Sequence, residues 1–251
     1  MKRLILVING KGGVGKSTFA TQLIQLYKDL RARYRAVDTD NENSTLKRFH
    51  KNADFLSVDS PQGLGLIFEL LKTTETVIVD CRAASPDLIL DYFEEVSVFN
   101  LLRDLGARMT TVMIVNHDPD SIEQLRVISG ALGNRCDYVV VRNQVHSEHF
   151  VLYDKSRIRA RLLQEFQARE ITMPKLYDWL VIALNERGFT IPAALASKEF
   201  TLIDRQRLLN WWRSVIGEIH RAGIFLVPET SAESALVGDA GTRHVLSKIA
   251  Q

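Results

Sequence analysis

Cysteine is scarce in this chain of 251 residues, which contains only Cys81 and Cys136. Neither belongs to a C-x-x-C pair or has a histidine at metal-ligand spacing, so we expect two reduced thiols rather than a disulfide framework or a zinc site. Long apolar runs are missing as well, because no stretch approaches the roughly 18 to 20 apolar residues that cross a membrane. The first apolar run, Leu4 to Ile8, is too short for a signal peptide. These absences predict a cytoplasmic protein.

A large excess of charge of one sign is also lacking, since the formal net charge is only +2. The content of 46% hydrophobic and 25% charged residues is typical of a globular chain that buries a full core, and we expect a single domain over residues 1–251. The basic residues are unevenly placed: residues 151–222 hold twelve Lys and Arg against eight Asp and Glu. This local surplus permits a basic surface in the C-terminal half. Its candidate residues are Arg157, Arg159, Arg161, Arg205, Arg207, Arg213 and Arg221.

The strongest motif is Gly10 to Thr18, which reads G-K-G-G-V-G-K-S-T and fits the P-loop template G-x-x-x-x-G-K-[ST]. An apolar run precedes it and a helical pattern follows it, as a P-loop requires. Glycines allow successive backbone N–H groups to turn toward an anion, and the helix N-terminus adds its positive dipole. A triphosphate is the expected ligand, with Lys16 reaching its β- and γ-phosphates and Ser17 binding Mg²⁺. The expected phosphate cradle consists of Gly12, Gly13, Val14, Gly15, Lys16, Ser17 and Thr18.

Short apolar runs alternate with helical patterns along the rest of the chain. This alternation predicts an α/β fold with a doubly wound, mainly parallel sheet and helices on both faces. The predicted strands are Leu4 to Asn9, Tyr34 to Asp38, Phe55 to Val58, Thr76 to Asp80, Thr110 to Asn116, Tyr138 to Arg142 and Glu170 to Met173. The predicted helices are Lys16 to Leu30, Leu64 to Lys72, Pro86 to Leu105, Asp120 to Leu132, Ser156 to Arg169, Leu176 to Arg187 and Thr201 to Arg221.

Carboxylates follow two of the predicted strands, at the edge of the sheet where ligands bind in such folds. Asp38 and Asp40 close the second strand, and Asp80 closes the run V-I-V-D. Asp80 has the position of a Walker B carboxylate, which holds Mg²⁺, usually through water. A helix cap or turn is the alternative interpretation of the Asp38 and Asp40 pair.

A second lysine inside the loop, Lys11, makes the motif resemble the deviant Walker A loop of the ParA/MinD ATPases. The resemblance covers residues 1–176 and implies that Lys11 crosses a dimer interface to the partner's nucleotide. It also implies that Asp38 lies by the Mg²⁺ shell and that Asp40 orients the attacking water. For adenine recognition it implies Asn143 and a proline-containing loop, here at Pro174.

Two departures from the family pattern concern Glu42 and Arg82. Glu42 stands where the family often has glutamine, and C-R-A-A-S follows Asp80 in place of a P-P-G-type turn. The resemblance therefore does not carry the family's hydrolysis rate and switch behaviour over to this chain. A phosphate, Glu42 or a structural ion pair are the three candidate partners of Arg82.

The resemblance implies an ATPase that binds ATP and Mg²⁺, forms an ATP-bound homodimer and drives partition or positioning of plasmid DNA or another cargo. Its implied partners are non-specific DNA, which would place it at the nucleoid, and a ParB-like adaptor protein. One alternative is a MinD-like regulator that cycles on a membrane, although the tail from Val227 to Gln251 is a poor amphipathic anchor. Another is an accessory ATPase of conjugative transfer or plasmid stability. A third, an iron–sulfur reductase like nitrogenase iron protein, would need Cys81 and Cys136 to bridge a dimer.

The last long helical pattern, Thr201 to Arg221, carries an unusual tryptophan. The residues predicted to face the core are Leu208, Leu209, Trp212, Val215, Ile216 and Ile219. The opposite face consists of Arg207, Trp211, Ser214, Glu218 and Arg221. Trp211 on this face is either part of a partner surface or folded onto a neighbouring helix.

Overall fold

The computed structural model describes residues 1–40 and 45–228. Seven strands form one sheet in the order β3-β2-β4-β1-β5-β6-β7, and every neighbouring pair is parallel. The strands are β1 (Lys2–Ile8), β2 (Tyr34–Asp38), β3 (Asp54–Phe55), β4 (Thr76–Asp80), β5 (Ala107–Val115), β6 (Asp137–Asn143) and β7 (Arg169–Met173). Parallel strands require crossover connections, and helices supply them.

The helices between the strands are α1 (Lys16–Asp29), α2 (Thr45–Phe49), α3 (Pro61–Thr73), α4 (Pro86–Glu95), α5 (Val98–Asp104), α6 (Pro119–Leu132), α7 (Val151–Asp154) and α8 (Arg157–Gln164). After β7 come α9 (Asp178–Arg187), α10 (Ile191–Ala196) and α11 (Leu202–Arg221). One buried cluster joins α1 and α9 to α11 on one face of the sheet, and a second joins α3 to α8 on the other. The predicted doubly wound sheet with two covered faces is therefore confirmed.

The central strands explain why their sequences are continuous apolar runs. β4 is buried at all five positions and β1 at all but its first, because helices cover both faces. In the register of the sheet, Asp38 of β2 lies opposite Asp80 of β4, and Asp80 lies opposite Val7 of β1. Two carboxylates and the start of the P-loop therefore meet at the carboxyl end of three adjacent strands.

The bounds of several predicted elements are wrong, and three of these elements differ most from the structure. The helix predicted over Pro86 to Leu105 is two helices, because Ser97 has a left-handed backbone with φ of 50° between them. The helix predicted over Ser156 to Arg169 ends at Gln164; Gln167 then turns the chain with φ of 52°, and Arg169 begins β7. The strand predicted over Phe55 to Val58 is the two-residue β3.

The face assigned to Trp211 is also wrong. Leu208, Trp212, Val215 and Ile219 of α11 are buried as the periodicity predicts, but Trp211 is buried too, with 9% of its surface exposed. Its indole Nε1 donates a hydrogen bond of 2.7 Å to the backbone oxygen of Pro174. A partner surface built on an exposed Trp211 is therefore excluded.

Candidate functional site

The P-loop turns between the end of β1 and Lys16, the first residue of α1. Gly13 and Gly15 have φ of 73° and 101°, in the left-handed region that favours glycine. A Cβ at Gly15 would also collide with the side-chain amide of Asn143. Both positions therefore favour glycine for backbone conformation, and Gly15 requires it for space as well.

Two side chains that the sequence analysis missed hold the first half of this loop. Asn9 is fully buried; its Oδ1 accepts from the backbone N–H of Lys11 at 2.8 Å and its Nδ2 donates to the Ile114 oxygen at 2.8 Å. Gln124, on α6, accepts from the Gly10 N–H at 3.1 Å. Asn9 stands directly before the loop and is a candidate by position, whereas no local signal singles out Gln124.

Lys16 points into the site from the first turn of α1. Only 7% of its surface is exposed, and its Nζ donates to the backbone oxygen of Lys11 at 3.0 Å. Burial lowers the pKa of this ammonium, and the nearby charge of Asp80 opposes that shift. A buried ammonium within reach of one carbonyl oxygen is well placed to exchange that oxygen for phosphate.

Asp80 is the most perturbed carboxylate of the site. Burial raises its pKa to about 7, the Ser17 hydroxyl opposes this shift, and the charge of Asp38 adds to it. Among residues 1–40 and 45–228, its buried Oδ1 has no hydrogen-bond partner. A buried carboxylate oxygen without a partner is costly, and a cation or bound water relieves that cost.

These residues fit Mg²⁺ of the kind that accompanies a nucleotide. Such a site uses one or two carboxylates together with substrate phosphates and water, and Asp80, Ser17 and Asp38 supply oxygen donors of this type. Within residues 1–40 and 45–228, no group of three or more His, Cys, Asp or Glu side chains could hold a metal ion.

Asp38 and Asp40 differ in how the chain holds them. Asp38 is fully buried; its Oδ1 accepts from the Asp40 N–H at 3.0 Å and its Oδ2 from the Lys47 N–H at 3.3 Å. Burial raises the Asp38 pKa, and these two backbone bonds oppose the rise. Asp38 thus links the end of β2 to the first turn of α2. Asp40, two residues later, is half-buried.

Lys11 lies apart from the phosphate cradle. Its Nζ forms ion pairs with Asp118 at 3.1 Å and Asp120 at 2.9 Å, both at the start of α6 of the same chain. Hydrogen bonds to these carboxylates raise the pKa of Lys11, with Asp120 contributing most. In this conformation the lysine of the family motif is engaged within its own subunit.

Asn143 and Pro174 border an open pocket beside the P-loop. The pocket is also lined by Thr18, Lys175, Leu176, Asn185 and Trp211. Asn143 donates from Nδ2 to the Val14 oxygen at 2.8 Å and accepts at Oδ1 from the Val145 N–H at 3.2 Å. Its amide therefore supports the P-loop, with one N–H and one lone pair left for a ligand.

Arg82 forms a structural ion pair. Its guanidinium binds both carboxylate oxygens of Asp59, and its backbone N–H donates to the Thr39 hydroxyl at 2.9 Å. The structural ion pair, one of the three alternatives for Arg82, is therefore the one that the described residues show, and its partner is Asp59. Glu42 itself lies outside the described residues, as does the tail from residue 229 onward.

Both cysteines are buried in the core, with 1% and 3% of their surfaces exposed for Cys81 and Cys136. Burial raises the pKa of both thiols, with the charge of Asp80 adding to the shift at Cys81. Iron–sulfur ligation needs accessible thiolates, so this arrangement argues against the reductase alternative.

Most arginines of the predicted basic surface are already neutralised by carboxylates. The ion pairs are Arg159 with Glu170, Arg161 with Glu165, Arg207 with Asp204 and Arg221 with Glu218. Arg205 is half-buried, and its Nε lacks a hydrogen-bond partner. Only Arg157 and Arg213 of the seven are exposed without an ion pair in the described part of the chain. The surplus of basic residues is therefore not a continuous positive stripe.

A family model described as CobQ/CobB/MinD/ParA nucleotide binding domain matches residues 5–219. The chain belongs to this family. Protein MobD of Acidithiobacillus ferrooxidans is 24% identical over 217 residues, which cover 84% of this chain and 93% of MobD. Protein TraL of Escherichia coli is 24% identical over 244 residues, which cover 89% of this chain and all of TraL.

Among solved structures, the septum site-determining protein MinD from Pyrococcus horikoshii, complexed with Mg-ADP, has the same fold. It superposes with a TM-score of 0.52 at 15% identity, over 90% of this chain and 99% of that one. This likeness confirms the predicted MinD/ParA type of P-loop fold. None of the helices in residues 1–40 and 45–228 has the length and apolar character of a membrane span.

Proposed function

We propose that this protein is a Mg²⁺-dependent ATPase of the ParA type, which dimerises on ATP and uses hydrolysis to drive partition or positioning of plasmid DNA or another cargo. The observation that carries the proposal is the presence, at one site, of the buried P-loop lysine Lys16 and a buried Asp80 oxygen with no hydrogen-bond partner among the described residues. Lys16 bonds a backbone oxygen that phosphate could replace, the Asp80 oxygen lacks a partner in the described part of the chain, and Mg·ATP would supply the complement of both.

In this proposal, the backbone N–H groups from Gly12 to Thr18 bind the phosphates, and Lys16 exchanges the Lys11 oxygen for the β- and γ-phosphates. Ser17 and Asp80 would hold Mg²⁺, with Asp38 beside them, and the bound metal would supply neutralisation of the phosphate charge. Asp40 orients the attacking water, which is a matter of positioning because phosphoryl transfer needs little help from a strong base.

Dimerisation requires a rearrangement at Lys11. Its ammonium must leave Asp118 and Asp120 before it can reach the nucleotide of a partner subunit. Both ion pairs are solvent-exposed at the rim, so they are weak enough to exchange for a phosphate contact.

Light scattering tests the dimer directly. With ATP, the wild-type mass should double; Lys11→Ala should stay monomeric, and Asp40→Ala should remain dimeric for longer because hydrolysis is blocked. ADP and buffer alone should leave all three proteins monomeric. A mass that is the same for all three proteins with or without ATP contradicts the proposal.

The proposed ATPase binds DNA without sequence specificity, and a ParB-like adaptor would stimulate its hydrolysis of ATP. A mobility shift on unrelated duplexes at two salt concentrations tests DNA binding, which should depend on ATP and weaken with salt. Because most of the arginines are paired, we expect weak binding with a shallow salt dependence. If no ATP-dependent shift occurs at low salt, DNA binding is excluded, and a regulator that binds a protein partner becomes the remaining hypothesis.

The two alternative roles use the same site. Sedimentation with liposomes and ATP separates a MinD-like membrane cycle from DNA binding. An accessory ATPase of conjugative transfer or plasmid stability is the second candidate, and the nearly end-to-end matches to MobD and TraL favour it over a MinD-like role. Purification of the protein with the products of its neighbouring genes would discriminate between this role and plasmid partition.

A further inference from the structure

The loop between β7 and α9 forms one wall of the pocket beside the P-loop, through Pro174, Lys175 and Leu176. Two hydrogen bonds hold the start of this loop, one at the last residue of β7 and one at the first residue of the loop. The Met173 oxygen accepts from the Gln144 N–H at 2.9 Å, and the Pro174 oxygen accepts from Trp211 Nε1 at 2.7 Å. The second bond comes from α11, the long helix near the end of the described chain.

Two adjacent tryptophans on α11 allow a clean comparison. Trp211 and Trp212 are both buried, but only Trp211 lines the pocket and bonds the loop. The Nε1 of Trp212 is buried and has no hydrogen-bond partner in the described part of the chain. The two side chains are therefore equal in size, both buried and consecutive on α11, and they differ in whether they hold the loop.

A second contact from α11 strengthens the attachment. The Glu218 Oε2 accepts from the Thr172 N–H at 2.7 Å, on the edge strand β7. Helix α11 thus bonds the main chain of β7 and of the loop after it at two points. The phosphate end of the pocket depends on other bonds, those of Asn9, Gln124 and Asn143 to the P-loop.

We propose that Trp211 is a positioning residue for the nucleobase, which holds the Pro174 loop against the base of the bound nucleotide. The inference rests on the proposed function, because it needs a nucleotide in the pocket. Since the loop and the P-loop have separate supports, loss of the Trp211 bond should weaken recognition of the base and leave phosphate binding unchanged. An ordinary loss of stability would weaken both.

Calorimetric titration with Mg·ATP and with Mg²⁺ and inorganic tripolyphosphate tests this inference. Loss of one hydrogen bond to a loop predicts that Trp211→Phe weakens ATP binding by about three- to tenfold. Its affinity for tripolyphosphate should equal that of wild type. Trp212→Phe, the matched control, should bind both ligands as wild type does.

Three results would overturn the inference: unchanged ATP affinity in Trp211→Phe, an equal loss for both ligands, or the same loss in Trp212→Phe. A wild type that binds tripolyphosphate as tightly as ATP would overturn it too, while the P-loop assignment would stand. A wild type that binds neither ligand would refute the proposed function itself.

Fluorescence provides a second measurement that does not depend on the folding of Trp211→Phe. In the Trp179→Phe, Trp212→Phe protein, Trp211 is the one remaining indole, because the chain has three tryptophans. ATP should change its emission and tripolyphosphate should not. Equal responses to the two ligands would contradict a role at the base.

Discussion

Charged side chains are held in different ways in two regions of the molecule. One region is the site at the carboxyl ends of β1, β2 and β4, and the other is the arginine-rich helices of the C-terminal half. At the strand ends, Lys16 and Asp80 are buried with incomplete partners. On α8 and α11, arginines are mostly exposed and paired with carboxylates of the same chain. The candidate site is therefore marked by the burial and incomplete pairing of its charged groups, and not by the number of charges.

The largest expected effect breaks the strand-end arrangement. Lys16→Ala should lose tight Mg·ATP binding, because a desolvated ammonium contact to phosphate is worth a few kcal/mol, or about a hundredfold in affinity. Lys28→Ala, on the exposed end of the same helix, is the control and should bind normally. Calorimetry makes the measurement, and unchanged affinity in Lys16→Ala would refute the P-loop assignment.

Buried and exposed ion pairs should also differ in their contribution to the free energy of unfolding. Asp137 binds the buried Arg3 at 2.7 Å and also Arg108, so Asp137→Asn should destabilise the fold by about 3 kcal/mol. Glu165→Gln, which breaks the exposed pair with Arg161, should cost less than about 1 kcal/mol. Urea unfolding of both variants measures the two costs, and equal values would remove the distinction.

A smaller effect is expected at the rim, where Lys11 is held by Asp118 and Asp120. The double variant Asp118→Asn, Asp120→Asn should dimerise with ATP at a lower protein concentration than wild type, because Lys11 is no longer retained in its own subunit. Asparagine keeps the acceptor with which Asp118 caps α6. Light scattering across a dilution series tests this, and weaker dimerisation in the variant would show that the two carboxylates help the dimer.

The smallest expected effect is a pH dependence from His50. Burial lowers its pKa below the ordinary 6.5, and its ring Nε2 lies 3.0 Å from the Thr21 oxygen. A group with a depressed pKa that is neutral when folded contributes stability above pH 6.5, and this contribution is lost as the pH falls through the folded pKa. Between pH 7.5 and 5, thermal unfolding of His50→Gln should therefore shift less than that of wild type. An equal shift would assign the acid sensitivity to other groups.

The sequence predicts the strand ends well and the side-chain partners poorly, for physical reasons. Strands buried on both faces appear as apolar runs, so Asp38 and Asp80 stand out as the polar residues that end them. The partner of Arg82 could not be predicted, because Asp59 is distant in sequence and joins it only in the fold. Trp211 was misplaced because helical periodicity assumes one buried face, whereas the loop at Pro174 covers a second face of α11.

The central claim is that the buried charge of Asp80 is kept for a metal-bound nucleotide at a cost to the empty fold. Asp80→Asn tests it in one preparation, by thermal unfolding without ligand and by calorimetry with Mg·ATP at pH 8. The account predicts opposite signs: the empty variant unfolds at a higher temperature than wild type, and it binds Mg·ATP at least about tenfold more weakly. An empty variant that is less stable and binds Mg·ATP as tightly as wild type would contradict the account.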